Sequence, residues 1–457
     1  MTLLIEDGLI VTLDRENRIL VDDVILIKDD RIEFIGKKEN MPLAYQQIPS
    51  IKVKGSVIFP GFVNLHTHAT LSILRGIGDD MGVAPAYAPN IPQGVFISPQ
   101  EAHILSLLGG VEALKFGTTC IVDNYIYENE AAVAFDNLGL RAVVSERLHD
   151  ADLFKVLEGR YEFDEKRGNM LLDKATALYE QWHGASDGRI LTRIGPHAPD
   201  TCSTIYLEKL RDLAYKMDVG LVTHVAQSQR EIEEIKNRSG KSSVEYLESL
   251  GLLSNKMIAG HCIYVSEEDI NVLAGTNTHV SHQSGSNSKG GMMAPINAMI
   301  DKGINIGLGT DNMARDMVEV MRLAVVIARM LTRNQTALKA LDVLKMATRN
   351  GAKALGLEQT IGSLEVGKKA DLFTVDFRRA HLTPVVDPIA NFVHNGLGSD
   401  VDLVIVDGQI LVEDGLVKTI DEISLLKEAQ SVTHKLWSDM QSDFPLPLPL
   451  AMTQSIY

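Results

Sequence analysis

The order of apolar and polar positions divides the chain into three textures. The first stretch, with segments such as "LLIEDGLIVTLD" and "DVILIKDDRIEFIG", alternates apolar and polar residues between turn signals, which is the pattern of half-buried β-strands. The same texture returns in "KADLFTVDF" and "VDLVIVDGQILVEDGLV", with Asp-Gly turns at 407–408 and 414–415. Each stretch alone leaves a sheet face uncovered, so a small β-sandwich assembled from both termini is expected. The middle differs, because short apolar runs alternate with helical patterns there and imply parallel strands joined by crossover helices.

Eight such runs stand out: "FVNLH" (62–66), "TTCIVD" (118–123), "RAVVSE" (141–146), "ILTRIG" (190–195), "GLVTHV" (220–225), "MIAGHC" (257–262), "THVSHQ" (278–283) and "INIGLGTD" (304–311). Eight strands with intervening helices imply an α/β fold of the (β/α)8 TIM-like barrel class. The expected division is 1–58 for the first part of the sandwich, 59–358 for the barrel, 359–420 for the second part, and 421–457 for a C-terminal helix and tail. Helices carry ordinary stop and start signals; "SPQEAHILSLLGGVEALKFG" opens at Ser-Pro and ends at glycine. The proline-rich "DFPLPLPLAM" at 443–452 reads as an extended arm or strap.

Composition narrows the class. A formal net charge of -16 repels phosphate backbones, so nucleic acid is not an expected partner. No apolar run approaches the ~18 residues of a membrane span, and the start lacks a basic region ahead of an apolar segment. Three scattered cysteines do not make a disulfide framework. A cytoplasmic enzyme acting on a small molecule, and assembling as a homo-oligomer of two or more copies, is the expectation.

In such a barrel the active site lies at the C-terminal ends of the strands. His66 and His68 end the first, His197 follows the fourth, and His224, His261 and His282 end the fifth, sixth and seventh. Asp311 ends the eighth. Side chains two apart on a strand point the same way, so His66 and His68 can reach one ion. Imidazole suits zinc or iron. Taken singly, each histidine reads equally as a packed core residue, and Asp311 as a helix cap. Their joint placement at strand ends favours the metal reading.

The segments "PGFVNLHTHAT", "GPHAPDTCS", "THVAQ", "AGHC", "HVSHQSGSN", "GLGTDN" and "ATRNGAKALGLEQTIGSLEVGKKADLFTVD" together resemble the amidohydrolase superfamily. The likeness is to the branch of atrazine and triazine hydrolases and methylthioadenosine/S-adenosylhomocysteine deaminases. It implies a metal-dependent hydrolase in which a metal-bound hydroxide attacks a C–N or similar leaving-group bond, other than a peptide bond, in a small cyclic or heterocyclic compound. It implies one divalent ion, zinc with Fe2+ as the alternative, held by His66, His68, His224 and Asp311. His261 is implied beside the reacting water and His197 at the substrate. No lysine ends the fourth strand, which favours one metal over two.

The chain departs from that pattern at Gln227. Deaminases of the branch carry a glutamate there, which moves a proton to a ring nitrogen; an amide has no pKa suited to that work. Asp311 and His261 are then the groups left to handle protons, with Gln227 orienting substrate. His282, Glu146 and Asn312 complete the candidate substrate-binding set, with Glu146 either facing the pocket or pairing with Arg147 or Arg141. Arg315 and Asp316 are expected to reshape the pocket rim. The loop "GIGDDMGVAPAYAPNIPQGVFISP" lacks the glutamate that nucleoside deaminases keep for ribose. The remaining histidines, His149 among them, read as structural or surface residues. Two alternatives stay open: a true aminohydrolase of a purine, pterin or triazine ring, and a non-catalytic metal-binding relative.

Overall fold

A computed structural model describes residues 2–78, 88 and 91–440. Residues 79–87 and 89–90 of the loop 76–99 and the whole proline-rich tail therefore lie outside the described residues. The N-terminal strands β1 (Thr2–Glu6), β4 (Val24–Lys28), β5 (Arg31–Gly36) and β6 (Ser50–Lys52) form one sheet. A second sheet has seven strands drawn from both ends of the chain. It joins β2 (Leu9–Val11), β3 (Ile19–Leu20) and β7 (Ser56–Pro60) to β17 (Leu372–Asp376), β18 (Val401–Val406), β19 (Gln409–Glu413) and β20 (Leu416–Val417). Leu3, Ile5 and Ile27 pack against Leu372, Leu403 and Ile405 in one apolar cluster, so each terminus covers the other's open face. The alternation along β1 and β4 is incomplete, because Leu4, Leu26 and Met41 form a second cluster on the opposite face.

β7 runs directly into the first barrel strand, β8 (Phe62–Thr67). The turn is tight: a Cβ on Gly61 would lie 1.9 Å from Thr119 Oγ1. The barrel continues through β9 (Thr118–Tyr125), β10 (Arg141–Leu148), β11 (Ile190–Thr192), β12 (Gly195–Pro196), β13 (Leu221–Val225), β14 (Met257–His261), β15 (His279–His282) and β16 (Ile306–Leu308). Neighbouring strands pair in parallel. Parallel bridges Ile194–Leu221 and Thr67–Asp311 close the ring. The fold is thus the (β/α)8 barrel with a two-ended sandwich.

Two boundaries differ from expectation. The fourth barrel strand is split, since Arg193 N still donates to Val144 O while Ile194 N turns to Gly220 O on the other neighbour. The eighth strand stops at Leu308, so Asp311 stands beyond the ladder with φ +67°. No described helix is long and apolar enough to cross a membrane.

Below the strand ends the barrel interior is apolar, with Leu65, Val122, Val143, Val222 and Ile258 in one cluster. At its base lies Arg193, buried, donating to the carbonyls of Leu221, Lys256 and Ala354. Those bonds satisfy the guanidinium without a carboxylate.

Candidate metal centre and its cavities

Five side chains from four strand ends meet above the apolar interior. His66 and His68 come from β8, His224 from β13, His261 from β14, and Asp311 follows β16. The ligating atoms of His66, His68 and His224 lie within 4.8 Å of one another, as do those of His66, His261 and Asp311. His224 Nε2 and His68 Nε2 are 3.3 Å apart, and His68 Nε2 is 3.3 Å from Asp311 Oδ1. All five side chains are buried.

The ring orientations are set from behind. His68 Nδ1 donates to Asn124 O at 2.6 Å, and His224 Nδ1 donates to His197 O at 2.5 Å. Each bond holds the proton on Nδ1 and leaves Nε2 as a lone pair. His66 has neither ring nitrogen partnered, and His261 Nε2 and His197 Nε2 are likewise buried without a partner. Orphaned buried acceptors are costly, and a cation at their meeting point removes the cost. Burial, then the neighbouring imidazoles, holds His66 well below the ordinary histidine range, and burial does the same for His224. The rings are therefore neutral, the form that ligates. The residues present fit a divalent ion held by three imidazoles and one carboxylate.

Asp311 carries a second layer of contacts. Ser286 Oγ donates to Asp311 Oδ2 at 2.5 Å, and His261 Nε2 is 4.0 Å from the same oxygen. Burial raises the Asp311 pKa, but the hydrogen bond with His68 and the imidazoles of His261, His68 and His66 outweigh it and keep the carboxyl well below the usual range. His261 Nδ1 faces Asn287 Oδ1 at 2.9 Å, and its backbone N–H is held by Gln283 Oε1. Gly309 permits the approach of the eighth strand, since a Cβ there would lie 2.7 Å from His66 Cβ.

A cavity of about 460 Å³ opens on the strand 5 to 8 side of these ligands, lined by Gln227, His261, Ser286, Asn287, Asp311 and Asn312 among others. Gln227 is fixed from below. The buried carboxyl group of Glu231 accepts the N–H groups of Ala226 at 2.7 Å and Gln227 at 2.8 Å, holding Ala226 in the left-handed region at φ +50°. A second cavity, about 190 Å³, lies on the strand 2 to 4 side. It is lined by Tyr127, Glu146, Arg147, His149, Arg167 and Lys174, with Arg147 stacked 4.8 Å over the Tyr125 ring and its Nε unpartnered.

The expected residues fall into place unevenly. His66, His68, His224, His261 and Asp311 meet in one cluster; Gln227 and Asn312 line the first cavity. His197 is adjacent, its ring 5.2 Å from that of His224. His282 is buried beside His261 with both nitrogens unpartnered and lines neither cavity. Glu146 belongs to the second cavity and pairs with neither suggested arginine: it accepts from Glu128 N, while Arg141 binds Asp371 and Asp407. Arg315 corrects the rim expectation, for it is fully buried behind the site; Asp316 caps the helix Met317–Thr332 and borders the first cavity. Sequence reasoning missed Ser286, Asn287, Glu231 and His149. Ser286 and Asn287 stood in the quoted "HVSHQSGSN", where polar residues just past a strand-end histidine were the available signal. His149, 6.2 Å from the His197 ring, gave none.

A barrel with one imidazole–carboxylate cluster at its strand ends defines a metal-dependent hydrolase class. Residues 57–411 match the amidohydrolase family. The chain belongs to that family and is a hydrolase of carbon–nitrogen bonds other than peptide bonds. It is 37% identical over 442 residues to a 5'-deoxyadenosine deaminase of Methanosarcina acetivorans, covering 95% of this chain and 98% of the relative. It is 37% identical over 439 residues to a 5-methylthioadenosine/S-adenosylhomocysteine deaminase of Moorella thermoacetica, covering 95% and 99%. Among solved structures, an adenosine deaminase from Xanthomonas campestris with bound zinc superposes with a TM-score of 0.86 at 26% identity, covering 95% of this chain and 98% of that one. Atrazine chlorohydrolase from Arthrobacter aurescens, complexed with zinc, gives 0.85 at 24%, covering 94% and 100%, a likeness of fold.

Proposed function

We propose that this protein hydrolyses a small heterocycle by displacing a substituent that leaves without prior protonation of the ring, or by opening a cyclic amide or urea. The observation behind this reading is Gln227, which lines the cavity beside the cluster in place of a carboxylate. His66, His68, His224 and Asp311 would hold a divalent ion, which when bound would lower the pKa of water toward ~7 and so supply a nucleophile at neutral pH. Asp311 accepts a proton from the attacking water, and Ser286 keeps that carboxylate oriented. Asp311 then returns that proton to the leaving atom directly or through His261, which is held through Nδ1 by Asn287 and whose Nε2 lies 4.0 Å from Asp311 Oδ2; with the proton on Nε2, His261 donates to the leaving atom or the developing oxyanion. Gln227 donates its amide to a ring acceptor, with Asn312 beside it and His197 across the cluster. The ring occupies the larger cavity, and a polar or anionic substituent reaches Arg147 in the smaller one.

The second reading is deamination of an adenosine-type ring, favoured by the 37% identity to 5'-deoxyadenosine deaminase. Zinc-loaded protein assayed on amino-, methylthio- and halogen-substituted purines and triazines, and on cyclic ureas, separates the two. Ammonia as the released product from the best substrate overturns the first reading. We also propose that the protein acts in the cytoplasm as a homo-oligomer, with exposed apolar residues such as Met330 and Val326 on the helix Met317–Thr332 as a contact surface. A monomeric mass in sedimentation counts against that.

A further inference from the structure

The short loop after Asp311 is held from underneath by arginines. Arg315 Nη1 donates to the carbonyls of Asn312 and Ala314, both at 2.9 Å. Arg75 Nε donates to the carbonyl between them, Met313 O, at 2.8 Å. Glu112 joins the two, accepting from the Arg315 backbone N–H at 3.2 Å and pairing with the Arg75 guanidinium. The loop needs such support, because Asp311 and Met313 both adopt left-handed backbone, at φ +67° and +34°.

The other arm of Arg315 crosses to the first strand. Nη2 donates to His68 O at 2.8 Å, and His68 is a candidate ligand whose ring is already fixed by Asn124 O. Strands β8 and β16 meet here with few direct ladder bonds: Asp311 N to His66 O at 2.9 Å and His68 N to Asp311 O at 3.3 Å. Asn64 adds two side-chain bonds to Thr310. The guanidinium is fully buried, pairs with no carboxylate among the described residues, and keeps Nε unpartnered. A buried charge so placed is expensive unless its bonds are needed.

We infer that Arg315 is a positioning residue of the metal centre: by binding His68 O and the 312–314 loop at once, it fixes the separation of the ligands His68 and Asp311 across the seam where the barrel closes. The inference rests on the metal reading given above. It predicts an effect on metal affinity that a purely structural arginine does not have. Arg193 supplies the comparison, since it too is buried and bonded to three carbonyls, but at the opposite end of the barrel.

The test is competition between a chelator and purified zinc-loaded protein, with thermal melts run in parallel. Arg315→Met is expected to weaken zinc binding about 10–100-fold, the usual effect of losing a group that orients a ligand. Arg193→Met is expected to lower the melting temperature and leave zinc affinity within about twofold of wild type, since it is remote from the ligands. Equal zinc affinity in Arg315→Met and wild type, with only the melting temperature reduced, overturns the inference. If Arg315→Met does not fold, Arg315→Lys serves: it keeps the charge but loses the fork, and zinc affinity unchanged in that variant is equally fatal. Absence of zinc binding by the wild-type protein, seen in the same titration, refutes the metal reading itself and is thereby distinguished.

Discussion

The two layers of the barrel interior obey different rules. In the lower layer, Leu65, Val122, Val143, Val222 and Ile258 interlock, and the one buried charge, Arg193, has its donors taken by carbonyls. In the upper layer, His66, His197, His261 and His282 keep buried nitrogens without partners, and His261, Cys262 and Asp311 stand in left-handed backbone. The lower layer is built as a stable protein is built. The upper layer carries unmet bonds and strain that only the rest of the fold sustains. The difference locates chemistry without reference to any relative: it lies where satisfaction is incomplete.

The contrast breaks most completely if the upper layer loses a ligand. His66→Ala or His68→Ala is expected to abolish both metal retention and turnover, read by elemental analysis and by assay on any confirmed substrate. Protein as purified is expected to hold one divalent ion per chain, and a reading near zero or two refutes the single-ion site. Asp311→Asn is the next largest. It is isosteric, so the melting temperature changes little, while turnover falls by at least ~10²–10⁴-fold, the usual contribution of a proton acceptor. Near-normal turnover in that variant refutes the assigned proton route.

Gln227→Glu sharpens the comparison by adding the carboxylate that deaminases of this branch carry. It is expected to lower turnover of the native substrate several-fold, well short of the ~10²–10⁴-fold of a full acid–base effect, and to gain weak ammonia release from amino-substituted rings. A large gain on the native substrate marks the glutamine as a handicap and removes the argument for unprotonated leaving groups. In the lower layer, Ile258→Ala is expected to cost ~2–5 kcal/mol of stability by leaving a cavity, with turnover retained below the melting transition. Denaturant unfolding and assay together check it.

The smallest effect concerns Glu231. Burial, then Asp200, pushes its carboxyl up to about 8 from an ordinary value of 4.5. A raised folded-state value means stability that is full below about 4.5 and lost as pH rises through about 8. Glu231→Gln keeps one acceptor and removes the titration, so its melting temperature is expected to fall less between pH 5 and pH 9 than that of wild type. Parallel melting curves sink the assignment.

These outcomes also mark what a sequence conveys. Residues fixed by local period were legible: His66 and His68 two apart on a strand, His224, His261 and Asp311 at the ends of apolar runs, and the β texture at both termini. Residues whose role depends on the third dimension were not. Arg315 looked like a rim residue because arginines usually face water, yet the short loop after Asp311 turns it inward to carbonyls it meets only when the barrel closes. Glu146 ends a strand as the ligands do, but its neighbours Glu128 and Lys174 draw it into a separate cavity. The split of the fourth strand was hidden as well, since a change of hydrogen-bonding partner at Ile194 leaves the apolar run unbroken.

The two-ended sheet has a consequence for how the chain is made. Strand β7 leaves the ribosome early, flanked on one side by β2, but its other edge is reserved for β17, which is synthesised only after the entire barrel. Until then β7 presents an open row of amides and carbonyls, the kind of edge that recruits wrong partners. Because β7 passes straight into β8, the root of the strand that leads to His66 and His68 gains its β17 neighbour only then. A chain stalled just before β17 therefore carries all the candidate ligands, which precede residue 372, and leaves that edge of β7 open. Synthesis of β17 is the event that closes the free edge of β7.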